Sequence, residues 1–324
     1  MKIVIVTPEA PGTTLGNAVT ADRWSGILRA LGHQVEITRE WVPEIKDDCD
    51  LLVALHARRS HKSIVRFRRC YPERPLIVAL TGTDLYGDLP ANPEARASLE
   101  LAARIVALQE AARDQLEEAL RPKLSVIYQS AVPPLKSRQP LTDSFEVCVL
   151  SHLRDVKDPL RAAWAARRLP LESRVYVQHA GRALSVEWGT KAKEEERVNR
   201  RYKWFGDLPH DRAMYLLSGA RLLVLSSLME GGSSAIAEAV TCGIPVICSD
   251  IPGNVGMLGR DYPGYFRPED TTHLSELLEV AEKHEDFLQA LRQRIIALQP
   301  RFTPEAESAS WSRLLKLPSS AEEG

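Results

Sequence analysis

Residues 222–248 read LLVLSSLMEGGSSAIAEAVTCGIPVIC, and the order of apolar and glycine-rich segments in this stretch predicts an α/β unit. The runs Leu222–Leu225 and Ile244–Cys248 have the continuous apolar character of strands that are buried on both faces of a parallel sheet. Between them, Gly231 and Gly232 mark a loop, and a helical segment follows. The order strand, loop, helix, strand places the loop at the carboxyl edge of the sheet, where α/β folds bind ligands.

The composition of this loop suits a phosphate ligand. Gly231 and Gly232 allow a ligand to approach the backbone closely because neither residue carries a side chain. Ser233 and Ser234 are favourable N-cap residues for the helix that follows. The free N–H groups and the positive dipole end of a helix N-terminus attract anions, so we expect these four residues to bind one.

Two acids frame the loop: Glu230 lies immediately before the glycines, and Glu238 lies within the helix. At about 1.5 Å per residue, Glu238 is roughly 6–8 Å further along the helix than its first residues. A phosphate at the helix N-terminus would then leave Glu230 near one end of a nucleotide-sugar and Glu238 near the ribose. A solvated helix can also carry such a pair, and the glycines and buried strands around it favour the binding interpretation.

The segment from Glu230 to Glu238 resembles the E-x7-E motif of the retaining nucleotide-sugar glycosyltransferases of family 4, which have the GT-B fold. In that family the first acid lies against the donor sugar and the second hydrogen-bonds the ribose hydroxyls. The resemblance implies that Glu230 is the catalytic residue, which orients the sugar and stabilises positive charge at its anomeric carbon. It also implies that Glu238 binds the donor and that the fold consists of two Rossmann-like, doubly wound α/β domains facing a cleft.

The whole chain has the composition of a soluble globular protein, with 324 residues of which 44% are hydrophobic and 26% charged. The net charge of −1 provides no general attraction to nucleic acid. No apolar run approaches the roughly 18–20 residues that a membrane span requires, and Met1–Thr7 reads as a buried strand rather than a signal peptide. The five cysteines show no C-x-x-C spacing, so we expect a cytoplasmic protein with reduced thiols.

The chain is long enough for two domains, and the segment Pro133–Ser144 is the best candidate for their boundary because it is rich in proline and polar residues. On both sides of it strands alternate with helices, which predicts two α/β halves. We expect an N-terminal domain of residues 1–140, a C-terminal nucleotide-sugar-binding domain of residues 141–302 and a frayed tail at 319–324. By resemblance to GT-B proteins, the helical pattern at about 303–318 is expected to cross back to the first domain.

The segment Ser151–Asp158 follows a predicted strand and resembles the G-R-L-x-x-x-K segment of family 4, whose arginine and lysine bind the donor diphosphate. Lys157 occupies the lysine position, whereas His152 stands where the family has arginine, and Arg154 is the nearest guanidinium. The resemblance implies that these three residues bind the diphosphate. Two plainer interpretations stay open: Lys157 as a solvated cation at the start of a helix, and His152 as a spacer.

Two further segments of the second half have roles that the sequence leaves open. Trp204 lies in a predicted strand region and either stacks on the nucleotide base or belongs to the core, where a tryptophan beside a strand more often lies. The turn Ser249–Asn254 resembles the S-D-x-G-G turn of family 4 but lacks the glutamate that often follows it. We assign this turn no role beyond shaping the cleft.

In the first half, Gly16 and Asn17 lie at the end of the loop that follows the first predicted strand. GT-B enzymes place a glycine-bearing loop here, facing the donor phosphates. With the N–H groups that follow, these two residues have the composition of an anion nest, so the resemblance implies that they contribute to donor binding. An ordinary strand-to-helix turn is the alternative.

The candidates for acceptor binding follow two other predicted strands of the first half. They are Arg58, Arg59, Thr81, Gly82 and Thr83. Each lies at the carboxyl end of its strand, on the ligand side of a parallel sheet, and arginines with hydroxyls suit a small anionic acceptor. A basic segment can also bind an anionic membrane, but residues 58–69 lack a strong apolar face, so this interpretation ranks second.

Several motifs together resemble a narrower group, the selenosugar synthases of selenoneine biosynthesis. The motifs are the Gly16-Asn17 loop, His56–Ser60, Leu80–Tyr86 and His152–Arg154. The resemblance implies a UDP-sugar donor carrying N-acetylglucosamine or glucose, and selenophosphate as the acceptor, joined through a C–Se bond. Thr81-Gly82 stands where many family-4 enzymes have a histidine–glycine pair, which also argues against an ordinary hydroxyl acceptor. Selenophosphate needs little help from a base because its selenium is already deprotonated at neutral pH.

Other classes of protein fit the sequence less well. A metal-dependent transferase needs an Asp-x-Asp motif after a strand, whereas Asp48-Cys-Asp50 precedes its strand, so we expect no metal site. A Rossmann dehydrogenase would show G-x-G-x-x-G after its first strand, which Gly12–Gly16 does not match. We expect no cofactor, since the UDP-sugar is a substrate. Transfer to a hydroxyl acceptor and nucleotide-sugar binding without catalysis are the alternatives, and the stereochemical outcome and the oligomeric state stay open.

Overall fold

A computed structural model of the protein describes residues 1–10, 16–43, 49–82 and 84–316. The expectations for Asp48, Thr83 and residues 319–324 concern residues outside these ranges. In the part of the chain described, no helix is both long enough and apolar enough to cross a membrane. All five cysteines are free thiols.

Twelve β-strands form two six-stranded sheets within the described residues. In chain order the strands are β1 (Lys2–Val6), β2 (Gln34–Thr38), β3 (Leu51–Leu55), β4 (Leu76–Leu80), β5 (Arg104–Ala107), β6 (Leu124–Val126), β7 (Phe145–Leu150), β8 (Val175–Ala180), β9 (Tyr202–Trp204), β10 (Leu222–Leu225), β11 (Val246–Ser249) and β12 (Tyr265–Phe266). The first sheet has the order β2-β1-β3-β4-β5-β6 and the second the order β12-β11-β10-β7-β8-β9. Neighbouring strands are parallel. The prediction of two α/β halves with parallel sheets is confirmed.

Eleven α-helices connect these strands in the same described ranges. In chain order they are α1 (Gly16–Ala30), α2 (His61–Cys70), α3 (Pro93–Leu101), α4 (Arg161–Arg167), α5 (Val186–Val198), α6 (His210–Ser218), α7 (Ser234–Cys242), α8 (Pro252–Leu258), α9 (Thr271–Lys283), α10 (Glu285–Leu298) and α11 (Pro304–Lys316). A π-helical turn at Asp84–Asp88 follows β4, and the 3₁₀ segments are Glu110–Gln115, Glu118–Lys123, Asp155–Lys157 and Gln299–Arg301.

The first sheet is covered on both faces, as its continuous apolar strands require. On β1, Ile3 and Ile5 belong to one buried core with residues of α1 and α11. Val4 and Val6, which point to the opposite face, belong to a second core with residues of α2 and α3. The alternation of side chains along one strand therefore supplies both cores, and the polar loops remain at the two edges of the sheet.

The last helix packs in the first unit, in agreement with the expectation that it crosses back. The rings of Trp24 on α1 and Trp311 on α11 are both fully buried and meet edge to face, with centroids 4.9 Å apart. Trp24 Nε1 donates to Glu307 Oε1 at 2.9 Å, and Arg23 Nη1 lies 3.8 Å from the other oxygen of this carboxylate. An aromatic contact of this kind is worth about 0.5–1.5 kcal/mol beyond its buried area. The buried carboxylate is therefore satisfied by α1.

The segment between the two sheets is part of the second unit. Met1–Tyr128 and the stretch from Glu305 form the first compact unit, and Gln129–Pro304 form the second. The sequence analysis instead placed the boundary at residue 140. Arg138 accounts for the difference, because its guanidinium donates to both oxygens of buried Glu146 on β7, at 2.8 and 2.9 Å. A bidentate pair of this kind ties the proline-rich segment to the second sheet.

The stretch that opened the sequence analysis has the predicted order of elements. β10 is buried along its whole length between β7 and β11, and α7 connects it to β11. α7 ends at Cys242 and is followed by the cap residue Gly243, whose φ of 67° suits a glycine after a helix C-terminus. The loop Ser226–Ser233 consequently lies at the carboxyl edge of the second sheet.

Candidate functional site

The loop between β10 and α7 ends in a capped helix N-terminus. The Ser233 hydroxyl accepts a hydrogen bond from the Ile236 N–H at 3.4 Å, and α7 begins at Ser234. Ser233 is buried and Ser234 is exposed, so the cap that the sequence predicted is Ser233. The Ser233 N–H donates to Met257 Sδ at 3.1 Å, which is a weak acceptor. The first turn of α7 therefore presents N–H groups and a positive dipole end at the carboxyl edge of the sheet.

Glu230, directly before the glycine pair, is buried and held by two side chains. Lys157 Nζ donates to Glu230 Oε1 at 2.5 Å, and Ser227 Oγ donates to the same oxygen at 2.6 Å. The side chains of Lys157 and Glu230 are 18% and 7% exposed. Lys157 is therefore not a solvated cation at the start of a helix. The fold instead places the predicted phosphate ligand beside the predicted catalytic acid.

Glu238 lies one turn into α7, about 6 Å along the helix axis from Ser234. Its carboxylate is largely buried, and Oε1 lies 3.7 Å from His210 Nδ1 on α6. Gly231 is buried and Gly232 is half-buried. The second unit thus groups two carboxylates, one ammonium and a helix N-terminus at one edge of its sheet.

The loop after β7 carries the other predicted donor-binding residues. His152 Nδ1 accepts a hydrogen bond from the Arg182 N–H at 3.1 Å, so the neutral ring carries its proton on Nε2. This contact anchors His152 to the loop after β8. Arg154 is exposed, directly before the 3₁₀ segment that ends at Lys157. Contact of His152 and Arg154 with a diphosphate stays a prediction.

A buried histidine that the sequence analysis did not single out supports this loop. His179 on β8 is fully buried, its Nε2–H donates to the Ser151 carbonyl at 3.0 Å, and its Nδ1 accepts from the Tyr202 hydroxyl at 3.0 Å. Burial lowers the pKa of His179 to about 4, because desolvation disfavours the imidazolium. At Gly181 a Cβ atom would lie 1.8 Å from the Ser151 oxygen, so the two loops pack with no room for a side chain.

Trp204, for which the sequence left two interpretations, is half-buried at the end of β9. Its indole N–H donates to the Gly181 carbonyl at 2.8 Å. With Leu184, Val186 and neighbouring residues it lines a surface cavity of about 520 Å³. Trp204 is therefore not a fully buried core residue, because its ring forms one wall of this cavity. Stacking on a nucleotide base stays a prediction.

In the first unit, the predicted acceptor arginines lie at the carboxyl end of β3, each beside a carboxylate. Arg58 Nε lies 2.9 Å from Asp88 Oδ2, and Arg59 Nη1 donates to Glu9 Oε1 at 2.7 Å. The two arginine side chains are 43% and 42% exposed. The carboxylates orient the guanidinium groups and reduce their net positive charge, while the exposed surface is accessible to an anion.

One buried carboxylate joins the two loops that carry the predicted acceptor residues. Asp84 is fully buried; its Oδ2 accepts the Ala57 N–H at 3.0 Å, and its Oδ1 accepts the N–H groups of Thr81 and Gly82 at 3.1 and 2.9 Å. Burial raises the pKa of Asp84, and the nearby His56 and the N–H donors oppose this rise. Gly82 has a φ of 146°, which side chains rarely allow. The backbone conformation therefore favours glycine at this position, whether or not Gly82 contacts a ligand.

His56, which the sequence analysis quoted within a motif and gave no role, is buried at the end of β3. Its backbone φ is 72°, a left-handed conformation that costs a non-glycine residue about 1–3 kcal/mol and that clusters at active sites. Nδ1 accepts the Arg59 N–H at 3.4 Å, and Nε2 lies 3.7 Å from Asp88 Oδ2. Burial lowers the pKa of His56 although Asp84 and Asp88 act in the opposite direction, so the ring is neutral at neutral pH.

The predicted anion-binding pair Gly16-Asn17 forms the start of α1. Gly16 is exposed and Asn17 is half-buried. The Gly16 carbonyl accepts the Thr20 hydroxyl at 2.9 Å. The first N–H groups of a helix lack partners within the helix, which is compatible both with an anion site and with an ordinary turn.

Among the residues that the structure describes, no group of three or more His, Cys, Asp or Glu side chains has the arrangement of a metal site.

The fold built from these two units is similar to several solved structures along nearly the whole chain. HepE of Anabaena, solved in complex with UDP-glucose, gives a TM-score of 0.76 at 16% identity, over 98% of this chain and 100% of that one. Sucrose-phosphate synthase of Thermosynechococcus elongatus gives a TM-score of 0.74 at 17% identity, over 97% of this chain and 98% of that one. At these identities the similarity shows the fold, which is the GT-B fold of glycosyltransferases.

Sequence similarity adds the family. Glycosyltransferase 1 domain-containing protein 1 of Xenopus tropicalis is 29% identical over 154 residues, which are 46% of this chain and 42% of that protein. O-antigen chain mannosyltransferase B of Escherichia coli is 39% identical over 49 residues, which are 15% of this chain and 13% of that protein. The matches thus span less than half of these relatives. Residues 135–297 match the family described as Glycosyl transferases group 1, and the chain belongs to this family.

The sequence analysis missed three buried residues, one in the first unit and two in the second, that hold predicted site residues or their loops. Ser227 follows β10 as part of a Ser-Ser pair, and a polar pair at the end of an apolar strand was the available signal. Asp84 lies in the motif Leu80–Tyr86, and an acid shortly after an apolar strand was the available signal. His179 is the second-last residue of β8 and has no local signal, because its partners Ser151 and Tyr202 lie far from it in the sequence.

Proposed function

We propose that this protein is a glycosyltransferase that transfers a hexose, N-acetylglucosamine or glucose, from a UDP-sugar to selenophosphate and forms a C–Se bond. The observation that carries the donor half of the proposal is the meeting of Lys157 and Glu230 beside the N-terminus of α7. The family and the fold support glycosyl transfer. Solved structures of HepE contain UDP or UDP-glucose, which supports a UDP-sugar as the donor class.

The donor diphosphate is proposed to bind at the start of α7. There the N–H groups of the first turn and the helix dipole attract negative charge, and Lys157 supplies a positive charge from the loop after β7. Gly231 and Gly232 leave room for close approach of the diphosphate to the backbone. Glu238, one turn further along, is proposed to accept hydrogen bonds from the ribose hydroxyls. His152 and Arg154 complete the donor set on the basis of the sequence resemblance.

The reaction is proposed to break the bond between the anomeric carbon and the diphosphate oxygen, whose electron pair leaves with UDP. The selenium of selenophosphate donates an electron pair to the anomeric carbon and forms the C–Se bond. Glu230 orients the sugar and stabilises the positive charge that develops at this carbon, while Lys157 and the helix dipole stabilise the departing diphosphate. We propose that this charge stabilisation takes the place of a bound metal ion.

The acceptor is proposed to bind in the first unit. Arg58 and Arg59 are exposed at the end of β3, and Asp84 holds their loop and the Thr81-Gly82 loop together. Arginine binds phosphate oxygens through paired N–H donors, so two of them suit a small phosphate-bearing acceptor. The resemblance of these loops to selenosugar synthases supports selenophosphate as that acceptor.

A hydroxyl acceptor is the second candidate, and His56 is the observation that favours it. Burial lowers the pKa of this imidazole and keeps it neutral, but its acceptor nitrogen Nδ1 receives the Arg59 N–H, so His56 would have to release that N–H to act as a general base. A hydroxyl must lose its proton during transfer, whereas a selenophosphate selenium does not. The two candidates therefore differ in the chemistry required of His56.

Product analysis separates these candidates. The protein is incubated with UDP-N-acetylglucosamine or UDP-glucose and with either selenophosphate or a panel of alcohols and sugar phosphates, and the products are analysed by mass spectrometry. The expected product has the mass and isotope pattern of a selenium-containing sugar, formed together with UDP. A glycoside formed only with an alcohol would overturn the selenophosphate assignment and leave glycosyl transfer intact.

Two controls complete this test. A mixture without protein measures the background reaction, which matters because selenophosphate is itself a strong nucleophile. A Glu238→Gln variant is expected to need a higher UDP-sugar concentration, because it loses a charged acceptor for the ribose hydroxyls. Activity that persists in EDTA supports transfer without a metal, and loss of activity that Mg²⁺ or Mn²⁺ restores would contradict it. Binding of UDP without turnover of any acceptor would instead identify a nucleotide-sugar-binding protein.

A further inference from the structure

Glu230 is supported by a chain of buried hydrogen bonds that comes from the turn after β11. Asn254 Nδ2 donates to the Ser249 carbonyl at 2.9 Å and to the Ser249 hydroxyl at 3.2 Å. Ser249 Oγ donates in turn to the Ser227 carbonyl, and Ser227 Oγ donates to Glu230 Oε1 at 2.6 Å. Asn254, Ser249 and Ser227 are all fully buried. Hydrogen bonds of this kind are strong and well ordered because water does not compete for the partners.

The same turn also contacts the backbone of Glu230. At Gly253, a Cβ atom would lie 1.9 Å from the Glu230 carbonyl oxygen, so the start of α8 packs against this residue with no space for a side chain. The Ser249–Asn254 segment, to which the sequence assigned no role beyond shaping the cleft, thus supports Glu230 in two ways. It holds Ser227 through hydrogen bonds, and it holds the Glu230 main chain by contact.

Lys157 and Ser227 contact the same oxygen of Glu230, but they differ in how freely they can leave it. Lys157 reaches Oε1 with a long flexible side chain that remains partly exposed. Ser227 reaches it with a short side chain on a buried and hydrogen-bonded backbone. A diphosphate at the start of α7 is a stronger attraction for an ammonium than a single carboxylate, because it carries more negative charge. Donor binding is therefore expected to draw Lys157 away and to leave Ser227 in place.

We propose that Ser227, held by Ser249 and Asn254, is a positioning residue that keeps the Glu230 carboxylate aligned with the donor sugar after Lys157 has turned to the diphosphate. The inference rests on the proposed function, because it needs a nucleotide-sugar at the start of α7. It predicts a loss of catalysis that is not accompanied by a loss of nucleotide binding. Neither of the two contacts described uses Glu230 Oε2, so the aligned carboxylate can present this oxygen to the sugar.

The test compares Ser227→Ala with Ser227→Thr and with Ser173→Ala. Ser173 is the matched control because its hydroxyl also donates to a buried glutamate of the second unit, Glu282 Oε2, at 2.7 Å. It lies before β8, at the edge of the sheet opposite to Glu230. UDP affinity is measured by calorimetry, kcat is measured as UDP release from UDP-N-acetylglucosamine with the active acceptor, and folding is checked by thermal unfolding.

The expected result is a drop in kcat of about tenfold or more for Ser227→Ala, the effect of losing one hydrogen bond to a charged group. UDP affinity is expected to change less than about twofold, since the lost hydrogen bond does not touch the nucleotide and its removal leaves the binding energy of the nucleotide in place. Ser227→Thr, which keeps a hydroxyl, should recover part of kcat, and Ser173→Ala should retain the wild-type kcat. Combining Ser227→Ala with Glu230→Gln should add little to the loss of Glu230→Gln alone, because residues that act as a unit are non-additive.

Two outcomes overturn the inference: a wild-type kcat in Ser227→Ala, or parallel losses of kcat, UDP affinity and thermal stability in Ser227→Ala but not in Ser173→Ala. The second pattern indicates that Ser227 is needed for folding of the loop rather than for alignment. Failure of the proposed function gives a different signature, namely no UDP release by the wild-type protein with any donor and acceptor. In that case a crystal structure of the double variant Lys157→Met, Ser227→Ala is the test, because neither side chain then holds the carboxylate. A Glu230 carboxylate that stays in place in this variant would refute the positioning role by itself.

Discussion

Lys157 Nζ lies 2.5 Å from Glu230 Oε1, although the two residues are 73 positions apart in the chain. The ion pair neutralises two groups that are both largely withdrawn from water. Removal of either partner leaves the other as a poorly solvated charge, which is far more costly than the loss of a surface ion pair. In the proposed function the two residues separate when the donor binds, the ammonium toward the diphosphate and the carboxylate toward the sugar.

A double-mutant cycle with Lys157→Met and Glu230→Gln measures this coupling. We expect the two changes to be non-additive in the free energy of unfolding, with a coupling of about 1–3 kcal/mol for a largely buried contact. Chemical denaturation of the four proteins provides the values. The control is the pair Lys283–Glu279, whose atoms are also 2.5 Å apart but whose side chains are exposed, and it should show no measurable coupling. Equal coupling in the two cycles would contradict the importance of burial.

Replacement of Arg58 or Arg59 by alanine is expected to raise the KM for the acceptor about tenfold each, because each loses a charge-assisted contact to a phosphate oxygen. The affinity for UDP, measured by calorimetry, should not change. Arg66→Ala serves as the control, since Arg66 lies on the adjacent basic helix and pairs with Glu40. Unchanged acceptor kinetics in both the Arg58 and Arg59 variants would refute their assignment.

Asp84→Asn is expected to lower the free energy of unfolding by about 2–4 kcal/mol, because the amide cannot accept hydrogen bonds at both of its ends. The carboxylate accepts N–H groups at each oxygen, so one of these donors would face an NH₂ group in the variant. Denaturation of the purified variant measures the change. Asp50→Asn is the control, since Asp50 is exposed and also accepts a backbone N–H, from Lys2 at 2.7 Å. A loss no larger than in this control would show that Asp84 does not hold the two loops.

The stability of the second unit is expected to fall as the pH falls from about 6.5 to about 4, because of His179. In the unfolded chain histidine takes up a proton near pH 6.5, whereas burial lowers the pKa of His179 to about 4 in the folded protein. Between these two pH values the unfolded chain binds a proton at His179 and the folded protein does not. Protonation therefore favours unfolding and lowers the free energy of unfolding by up to about 3 kcal/mol. The full contribution is present above pH 6.5.

Unfolding measured at several pH values checks this prediction with the variants His179→Gln and His284→Gln. The loss between pH 6.5 and 4 should be smaller in His179→Gln than in the wild type, after allowance for its lower starting stability. His284 is exposed at the start of α10, so its replacement should leave the pH profile unchanged. A His179→Gln profile parallel to that of the wild type would exclude His179 as the source.

The elements around the loop between β10 and α7 were predictable because their sequence signals are local. β10 and β11 are short apolar runs, the Gly231-Gly232 pair interrupts them, and Ser233 is a favourable cap, so each assignment depends on neighbouring residues in the chain. Lys157 was found through its motif. The motif does not contain Glu230, whose contact with Lys157 excludes the alternative of a solvated cation. The inclusion of residues 129–140 in the second compact unit likewise has no local signal, since the contact between Arg138 and Glu146 joins a proline-rich segment to a strand.

The two alternating halves, the carboxyl-edge loop and the acid pair follow from the order of residue types along the chain, because hydrophobic periodicity and helix capping act over a few positions. The partners of the buried polar groups follow from the order of strands in the sheets. β7 lies next to β10 in the second sheet, and this places Lys157 beside Glu230 and Ser227. The π-helical turn after β4 likewise brings Asp84 under the loop after β3. Such pairings join residues that are far apart in sequence, and no local pattern encodes them because their energy arises only when both partners are removed from water.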